Sequence, residues 1–222
     1  MAFFFYSAII LSVADWIAVA RQARSLRWIT KPGTLLAILL WFTTATPLAS
    51  DARITWFTLA LCFSLVGDIF LLMGGQQSIK GGLAFILAHA AFIVAYNTPL
   101  QIPGIFYGIF ILNMTPTLIL FRDILGAIRR QGDKDLAWGV RIYAFALTAM
   151  SSSAITTLFR TEWDSRAAWF TAFGGLLFYT SDLLLFFNRF VRQRERAPLI
   201  IMISYHLAQF TLTYGFLWYL YH

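Results

Sequence analysis

Residues 64–73 read SLVGDIFLLM, an apolar run suited to lipid with one carboxylate, Asp68, set inside it. An ionisable group in hydrocarbon costs several kcal/mol and is tolerated where it faces the interior of a bundle or a wet cavity. The rest of the chain defines the solvent. Its 222 residues are 59% hydrophobic and 18% aromatic, and only 12% are charged, with a mean hydropathy of +0.71; a soluble domain would carry about a quarter charged residues. A membrane span needs roughly 20 apolar residues. The sequence divides into eight such segments at 2–20, 33–49, 54–73, 81–100, 104–121, 138–160, 166–188 and 198–220. The expected fold is therefore an all-α integral membrane protein, a single transmembrane domain over 1–222 built as a bundle of eight helices.

The first segment ends in Ala18-Val19-Ala20, which resembles a signal-peptidase site. No basic region precedes its apolar run and its positive charges follow it, so it reads as a retained helix. The lone cysteine, Cys62, cannot form an intrachain disulfide or a Cys-based metal site and reads as a small buried hydrophobe.

Charge sets the expected orientation. Thirteen of the 17 Lys and Arg residues fall in loops after odd-numbered spans: Arg21, Arg24, Arg27 and Lys31, then Lys80, then Arg122, Arg129, Arg130 and Lys134, then Arg189, Arg192, Arg194 and Arg196. Only Arg53, Arg160 and Arg166 follow even-numbered spans, and Arg141 lies near the start of the sixth. The positive-inside bias then places both termini outside the cytoplasm, at the inner membrane in a bacterium. The net charge of +7 is thereby read as a topology signal and not as a nucleic-acid footprint.

The polar residues within the spans share one layer. At about 1.5 Å per helical residue, Asp15 and Asp68 lie about 9 Å from the cytoplasmic edge, Asp182 about 10 Å, His89 and His206 about 12 Å and Asn113 about 13 Å. Ser64 stands at i−4 from Asp68, Tyr179 at i−3 from Asp182, Thr117 at i+4 from Asn113, and Gln209 and Thr213 at i+3 and i+7 from His206. Each polar group thus has a companion on its own helix face. Asn113, Thr117, Gln209 and Ser64 are adequate as interhelical hydrogen-bonding groups, and Asp15, close to the first basic loop, suits an ion pair with Arg or Lys. Asp68 and Asp182 are far harder to bury and point to function.

A weak internal repeat accompanies this layer. GDIFLLM is followed 21 residues after Asp68 by His89 in AHAAF, and SDLLLFF is followed 24 residues after Asp182 by His206 in YHLAQF. Spans three and four then correspond to seven and eight, as in two parallel four-helix halves with the carboxylates facing across a pseudo-axis. Gly104 and Gly108 read as a close helix-packing pair. Ser151-Ser152-Ser153 lacks the G-x-S-x-G setting of a nucleophile.

Lys31-Pro32, SLVGD with Asp68, FILAH with His89, Tyr143 with Met150 one heptad on, FYTSD with Asp182, and YHLAQ with Gln209 together resemble the motifs of the YhhN family of eight-span proteins, the lysoplasmalogenases, from the first loop to the last span. The resemblance implies hydrolysis of the vinyl ether bond of lysoplasmalogens to a fatty aldehyde and a glycerophospho-base, with Asp68 and Asp182 as the catalytic pair. Lys31, His89, Asn113, Tyr143, Tyr179, Tyr205, His206 and Gln209 are the wider set expected to bind substrate or support the pair. The expected partners are a lysophospholipid and membrane lipids; no cofactor or metal is expected, and the oligomeric state is open.

The chemistry suits the residues independently. Vinyl ether hydrolysis begins with protonation of the carbon β to oxygen, and water attacks the resulting oxocarbenium ion to give a hemiacetal, which collapses to aldehyde and alcohol. Two carboxylates supply the acid and the base, and a close pair titrates as a unit. The ionised partner steadies the cation, as in glycosidases. Which aspartate is the acid is open at this stage. The histidines are expected to orient the carboxylates and water. Lys31, Lys80 and the basic residues of 192–196 are phosphate candidates. Two rivals stay open: a zinc hydrolase using His89, His206, Asp68 and Asp182, without an HExxH-type spacing, and a transporter or proton relay, which should show interrupted helices near the midplane.

The charge asymmetry generates a test. Reporters fused to either terminus should be active only outside the cytoplasm, and a terminal fusion active inside the cell overturns this orientation.

Overall fold

The computed structural model describes residues 2–46, 51–99, 102–130 and 132–222. These form eight α-helices: α1 Ala2–Ala20, α2 Arg24–Ala45, α3 Ala52–Met73, α4 Gln77–Tyr96, α5 Ile105–Arg130, α6 Lys134–Thr156, α7 Ser165–Phe190 and α8 Ala197–Tyr221. A short 3-10 turn, Thr157–Phe159, follows α6, and there is no strand among the described residues. Seven helices are long and apolar enough to cross a membrane; α2 is not among them. Eight helices are thus present, but eight spans are not established. The reason lies at the start of α2, which carries Arg24, Arg27 and Lys31 in its first eight residues.

That helix begins well before the expected position 33 and runs straight through Pro32. A proline inside a helix lacks the N–H that would bond back four residues, at a cost of about 3 kcal/mol. The surrounding bundle tolerates it here, and so residue 31 lies on a helix rather than in a loop. The last residues of the expected second span, 47–49, and residue 100 of the fourth fall outside the described residues. The fifth helix extends nine residues beyond the expected end at 121, so Arg122, Arg129 and Arg130 are helical.

Consecutive helices pair as hairpins: α1 with α2, α3 with α4, α5 with α6 and α7 with α8. Between hairpins, α2 packs on α3 as α6 packs on α7, and α8 packs on α2 as α4 packs on α6. The two halves of the chain therefore repeat one neighbour order, as the short sequence repeat implied. The correspondence is incomplete, because α1 touches α8 and α5 touches α7. All four hairpin turns lie at one end of the bundle, the end that holds most of the Lys and Arg residues. At the opposite end Asp51 caps α3 through the Arg53 N–H at 2.8 Å, while the Arg53 guanidinium binds both Asp51 and the Tyr219 hydroxyl and ties α3 to α8. The guanidinium beside it holds the Asp51 carboxyl below its usual range.

The outside is apolar and the inside is partly polar, the reverse of a soluble bundle. Phe3, Ile10, Ile111 and Leu112 are exposed, whereas Asp15, Lys31, Asp68, His89, Asp182, His206 and Gln209 are buried. In water the exposed side chains would aggregate; in lipid they are solvated.

Close helix contact does not fall where GxxxG suggested. A Cβ added at Gly104 or Gly108 would meet nothing within 4 Å, because both lie on the open side of α5. The close approach is between α7 and α8. A Cβ at Gly215 would stand 2.8 Å from the Thr171 backbone N and 2.9 Å from the Ala167 carbonyl O. These are backbone atoms that cannot swing aside. Gly215→Ala should destabilise the protein by about 1–3 kcal/mol, whereas Gly139→Ala, which meets nothing within 4 Å, should be neutral or gain up to about 1 kcal/mol from helix propensity. Unfolding of both variants in detergent checks the contrast, and equal stability of the two would refute the packing assignment.

Candidate active site

The polar layer resolves into two separate carboxylate environments. Asp68 sits five residues before the end of α3 and is 1% exposed. Lys31 Nζ of α2 approaches its Oδ1 at 2.9 Å, an ion-pair distance at an angle outside hydrogen-bond geometry. The Tyr205 hydroxyl of α8 donates to its Oδ2 at 3.0 Å, and Gln209 Nε2, one turn along α8, donates to the Tyr205 oxygen at 3.4 Å. Lys31 is itself 5% exposed. It therefore faces inward against Asp68, away from the head-group surface where a phosphate would wait.

Asp182, eight residues before the end of α7, has different partners. The Tyr143 hydroxyl of α6 donates to Oδ2 at 2.5 Å. His89 Nε2 of α4 lies 3.5 Å from the same oxygen, short of a formed hydrogen bond. No lysine or arginine pairs with Asp182 among the described residues. Phe178, one turn earlier on α7 and fully buried, touches both sites: its ring centroid lies 5.4 Å from that of Tyr205 and 5.0 Å from that of His89. The two carboxylates are thus neighbours across an aromatic wall and share no direct partner.

The repeat is visible in these contacts. Each aspartate takes one partner from the preceding helix, Lys31 of α2 or Tyr143 of α6, and one from the far hairpin, Tyr205 of α8 or His89 of α4.

Other expected residues make no hydrogen bond or ion pair with either carboxylate. Asp15 is ion-paired with Arg27 at 3.4 Å and accepts from Thr30 at 2.8 Å, as its position beside the first basic segment implied. His206 accepts at Nδ1 from the Trp16 indole at 3.0 Å. Asn113 and Tyr179 belong to a separate network: Tyr179 bonds Thr117 at 2.5 Å and the Asn113 carbonyl at 2.9 Å, and the Asn113 amide donates to Ser152 at 3.2 Å. Ser64 bonds back to the Ala60 carbonyl at 2.9 Å and not to Asp68. Sequence reasoning missed Trp16 and Phe178. An indole N–H inside an apolar helix needs an acceptor, and that was the available signal for Trp16.

A cavity of about 370 Å³ opens between α4, α6 and α7 at the basic end, within the size range of small-molecule sites. Asp133, Asp135 and Arg189 stand at its mouth, and Phe85 and Tyr143 at its inner end. Its lining residue Tyr143 donates to Asp182, which does not itself line the cavity. Among the described residues, no three His, Cys, Asp or Glu side chains are grouped closely enough to hold one metal ion.

A profile of the YhhN family matches residues 26–216. The chain belongs to the YhhN family. That match covers Asp68, Asp182 and the partners named for them, and leaves out Asp15 and its neighbour Trp16. The chain is similar to "Lysoplasmalogenase TMEM86B" of three mammals. It is 30% identical to the Sus scrofa protein over 68% of this chain and 58% of that one, and 32% identical to the Homo sapiens protein over 69% and 60%. It is 28% identical to the Mus musculus protein over 89% and 77%. The chain thus spans about three fifths of the length of the pig and human relatives. No solved structure matches. With its apolar helices and these membrane relatives, this YhhN protein is a multi-pass integral membrane protein.

The ion pair makes a stability prediction independent of any activity. Removing one partner of a buried pair typically costs 3–5 kcal/mol because it leaves an uncompensated charge. Lys31→Met should therefore lower stability by about that much, and the double change Lys31→Met/Asp68→Asn should recover most of it. Unfolding in detergent measures this cycle; additive losses would mean that the pair is not coupled.

Proposed function

We propose that this YhhN protein hydrolyses the vinyl ether bond of lysoplasmalogens, choline or ethanolamine lysophospholipids, inside the membrane. The products are a fatty aldehyde and the glycerophospho-base. The observation that carries the reading is the pair of unlike carboxylates buried in one layer, one balanced by an ammonium and the other not, beside a cavity that ends on Tyr143. The similarity to the mammalian lysoplasmalogenases supports the substrate class.

The asymmetry supports a division of roles that the sequence left open. Lys31 balances the charge of Asp68, so Asp68 serves as the base and as the fixed anion that steadies an oxocarbenium ion. Asp182 has Tyr143 and His89 but no Lys or Arg beside it among the described residues, and on this reading it is the acid that protonates the β carbon.

Every proton is accounted for in the resulting cycle. Asp182 gives its proton to the β carbon, and the vinyl π electrons form that C–H bond while the ether oxygen stabilises the cation. Water then bonds to the α carbon and loses a proton to Asp68. In the collapse of the hemiacetal its hydroxyl proton returns to Asp182, the C–O bond breaks toward the glycerol, and Asp68 returns its proton to the leaving oxygen. Both residues end as they began.

The lipid geometry fits this assignment. With the phosphate at the basic end, near Arg189, the first bond of the chain lies just below the head group, at the depth of the carboxylate layer. The apolar wall of the cavity takes the chain, and the enzyme needs no soluble domain to reach its substrate.

Asp68→Asn and Asp182→Asn should each lower aldehyde release from a lysoplasmalogen by roughly 10²- to 10⁴-fold. The double variant should be little worse than the poorer single, because residues acting as a unit are not additive. An ester-linked lysophospholipid should yield no aldehyde. A folded single variant with near wild-type turnover would defeat the two-carboxylate mechanism, and absence of aldehyde from the wild-type protein would defeat the activity itself.

A further inference from the structure

Three buried side chains on one face of α8 carry polar atoms without a protein partner. His206, Gln209 and Thr213 are each 0% exposed, and His206 Nε2, Gln209 Oε1 and Thr213 Oγ1 bond to nothing among the described residues. They stand at i, i+3 and i+7, so they form one stripe. Leaving such buried atoms unsatisfied is costly, and three together would be a heavy load for one helix face.

Their hydrogen-bond polarities complement one another. An indole N–H can only donate, so the bond from Trp16 Nε1 to His206 Nδ1 at 3.0 Å fixes the lone pair on Nδ1. The ring proton is then on Nε2, which makes that atom a donor. Gln209 uses its amide N–H on the Tyr205 oxygen, which leaves Oε1 as an acceptor. Thr213 can do either. Helical neighbours three or four apart have Cβ atoms about 5–6 Å apart, and a water bonded to two partners at about 2.8 Å spans a similar distance. A donor and an acceptor at that spacing in a buried polar site meet the requirement of two or more partners for an internal water.

The stripe adjoins the base. Tyr205, adjacent to His206 in sequence, donates to Asp68 and is bonded by Gln209. We infer that His206, Gln209 and Thr213 form a water-binding site on α8 that holds the nucleophilic water of hydrolysis beside Asp68, with Trp16 as a positioning residue that sets the His206 tautomer. This inference rests on the hydrolase reading for its catalytic part. The step it serves is the attack of that water on the oxocarbenium carbon: the new C–O bond takes a water lone pair, the C=O⁺ π pair returns to the ether oxygen, and the released proton passes to the Asp68 carboxylate. A water that bonds His206 Nε2–H with one lone pair and Gln209 Oε1 with one hydrogen keeps its second lone pair and second hydrogen free for the carbon and for Asp68.

Two measurements test it. The first is an experimental structure of the wild-type protein in lipid nanodiscs at a resolution that shows ordered waters; a water within hydrogen-bond distance of both His206 Nε2 and Gln209 Oε1 is expected. The second is turnover of a lysoplasmenylethanolamine by Gln209→Met and Thr213→Val, with methanol as a competing nucleophile. Loss of a held water should lower kcat by about 10- to 100-fold with KM within about twofold, and should raise the ratio of methyl acetal to aldehyde, because bulk methanol then competes with bulk water. A purely structural role would leave that ratio unmoved. A dry stripe, or variants that keep the wild-type kcat and product ratio, overturns this inference in an active enzyme. A wild-type protein that releases no aldehyde overturns the hydrolase reading and the catalytic role of the water with it, while the water density still decides the binding site.

Discussion

A charge inside a lipid-embedded bundle must be answered within the bundle, and the Lys31–Asp68 ion pair is the contact on which the rest of this structure depends. Each ion costs several kcal/mol to remove from water, and the mutual attraction repays that only when the geometry is good and the remaining lone pairs are bonded. Tyr205 supplies such a bond to Asp68. Three helices are thereby held together, α2 by Lys31, α3 by Asp68 and α8 by Tyr205. The same demand explains the composition of α2. Its first turns are too basic for an apolar span, yet two of its cations are committed inward, Arg27 to Asp15 and Lys31 to Asp68.

The repeat of the two halves gives this constraint a counterpart. One scaffold presents an aspartate near the end of its third helix twice, and each time the preceding helix and the far hairpin supply the partners. In the first half the preceding helix offers an ammonium, and in the second a phenol. A symmetric pair of ionised or neutral carboxylates would offer no directed proton transfer. Replacing a cation by a hydroxyl at one of two matching positions makes the two sites unlike while the helix positions stay the same, and acid–base chemistry needs such a difference.

Much of this was legible in the residues. The apolar segments gave the helices, with α1 matching at both ends and α8 within one residue at each end, because long apolar runs bounded by Arg or Pro leave little choice. The depth argument found the layer holding Asp68, Asp182, His89 and His206 for the same reason: a helix advances a fixed distance per residue. The failures came where sequence fixes a face but not the neighbour opposite. Tyr179 shares a helix face with Asp182 yet bonds across to Thr117 and Asn113, and the Asp182 partner is Tyr143 from another helix. The sequence places Lys31 in the loop before a span read from residue 33, but the helix starts at Arg24; a bundle that packs around Pro32 can absorb its missing bond. Gly104 and Gly108 carry the right spacing for close packing but lie on the open side of α5, and spacing alone does not say which side a helix turns to its neighbours.

The position of the layer also limits what the site can act on. The carboxylates lie several residues in from the basic end, beneath a cavity mouth that carries both signs of charge, Asp133 and Asp135 with Arg189. A substrate that stays anchored in the membrane by its chain presents to this layer only the few bonds next to its head group. On the hydrolase reading, the vinyl ether is the one such bond in a lysoplasmalogen that needs protonation at carbon. That proton transfer is slow when water competes for the acid, and a buried carboxylate bonded by Tyr143 and walled by Phe178 and Phe186 is shielded from such competition. On the same reading, the water required in the next step comes from a defined place and not from bulk, with the acid Asp182 on α7 beside α4 and α6 and the base Asp68 on α3 beside the polar stripe of α8. On the hydrolase reading, burial of the two aspartates separates a dry first step from a wet second one.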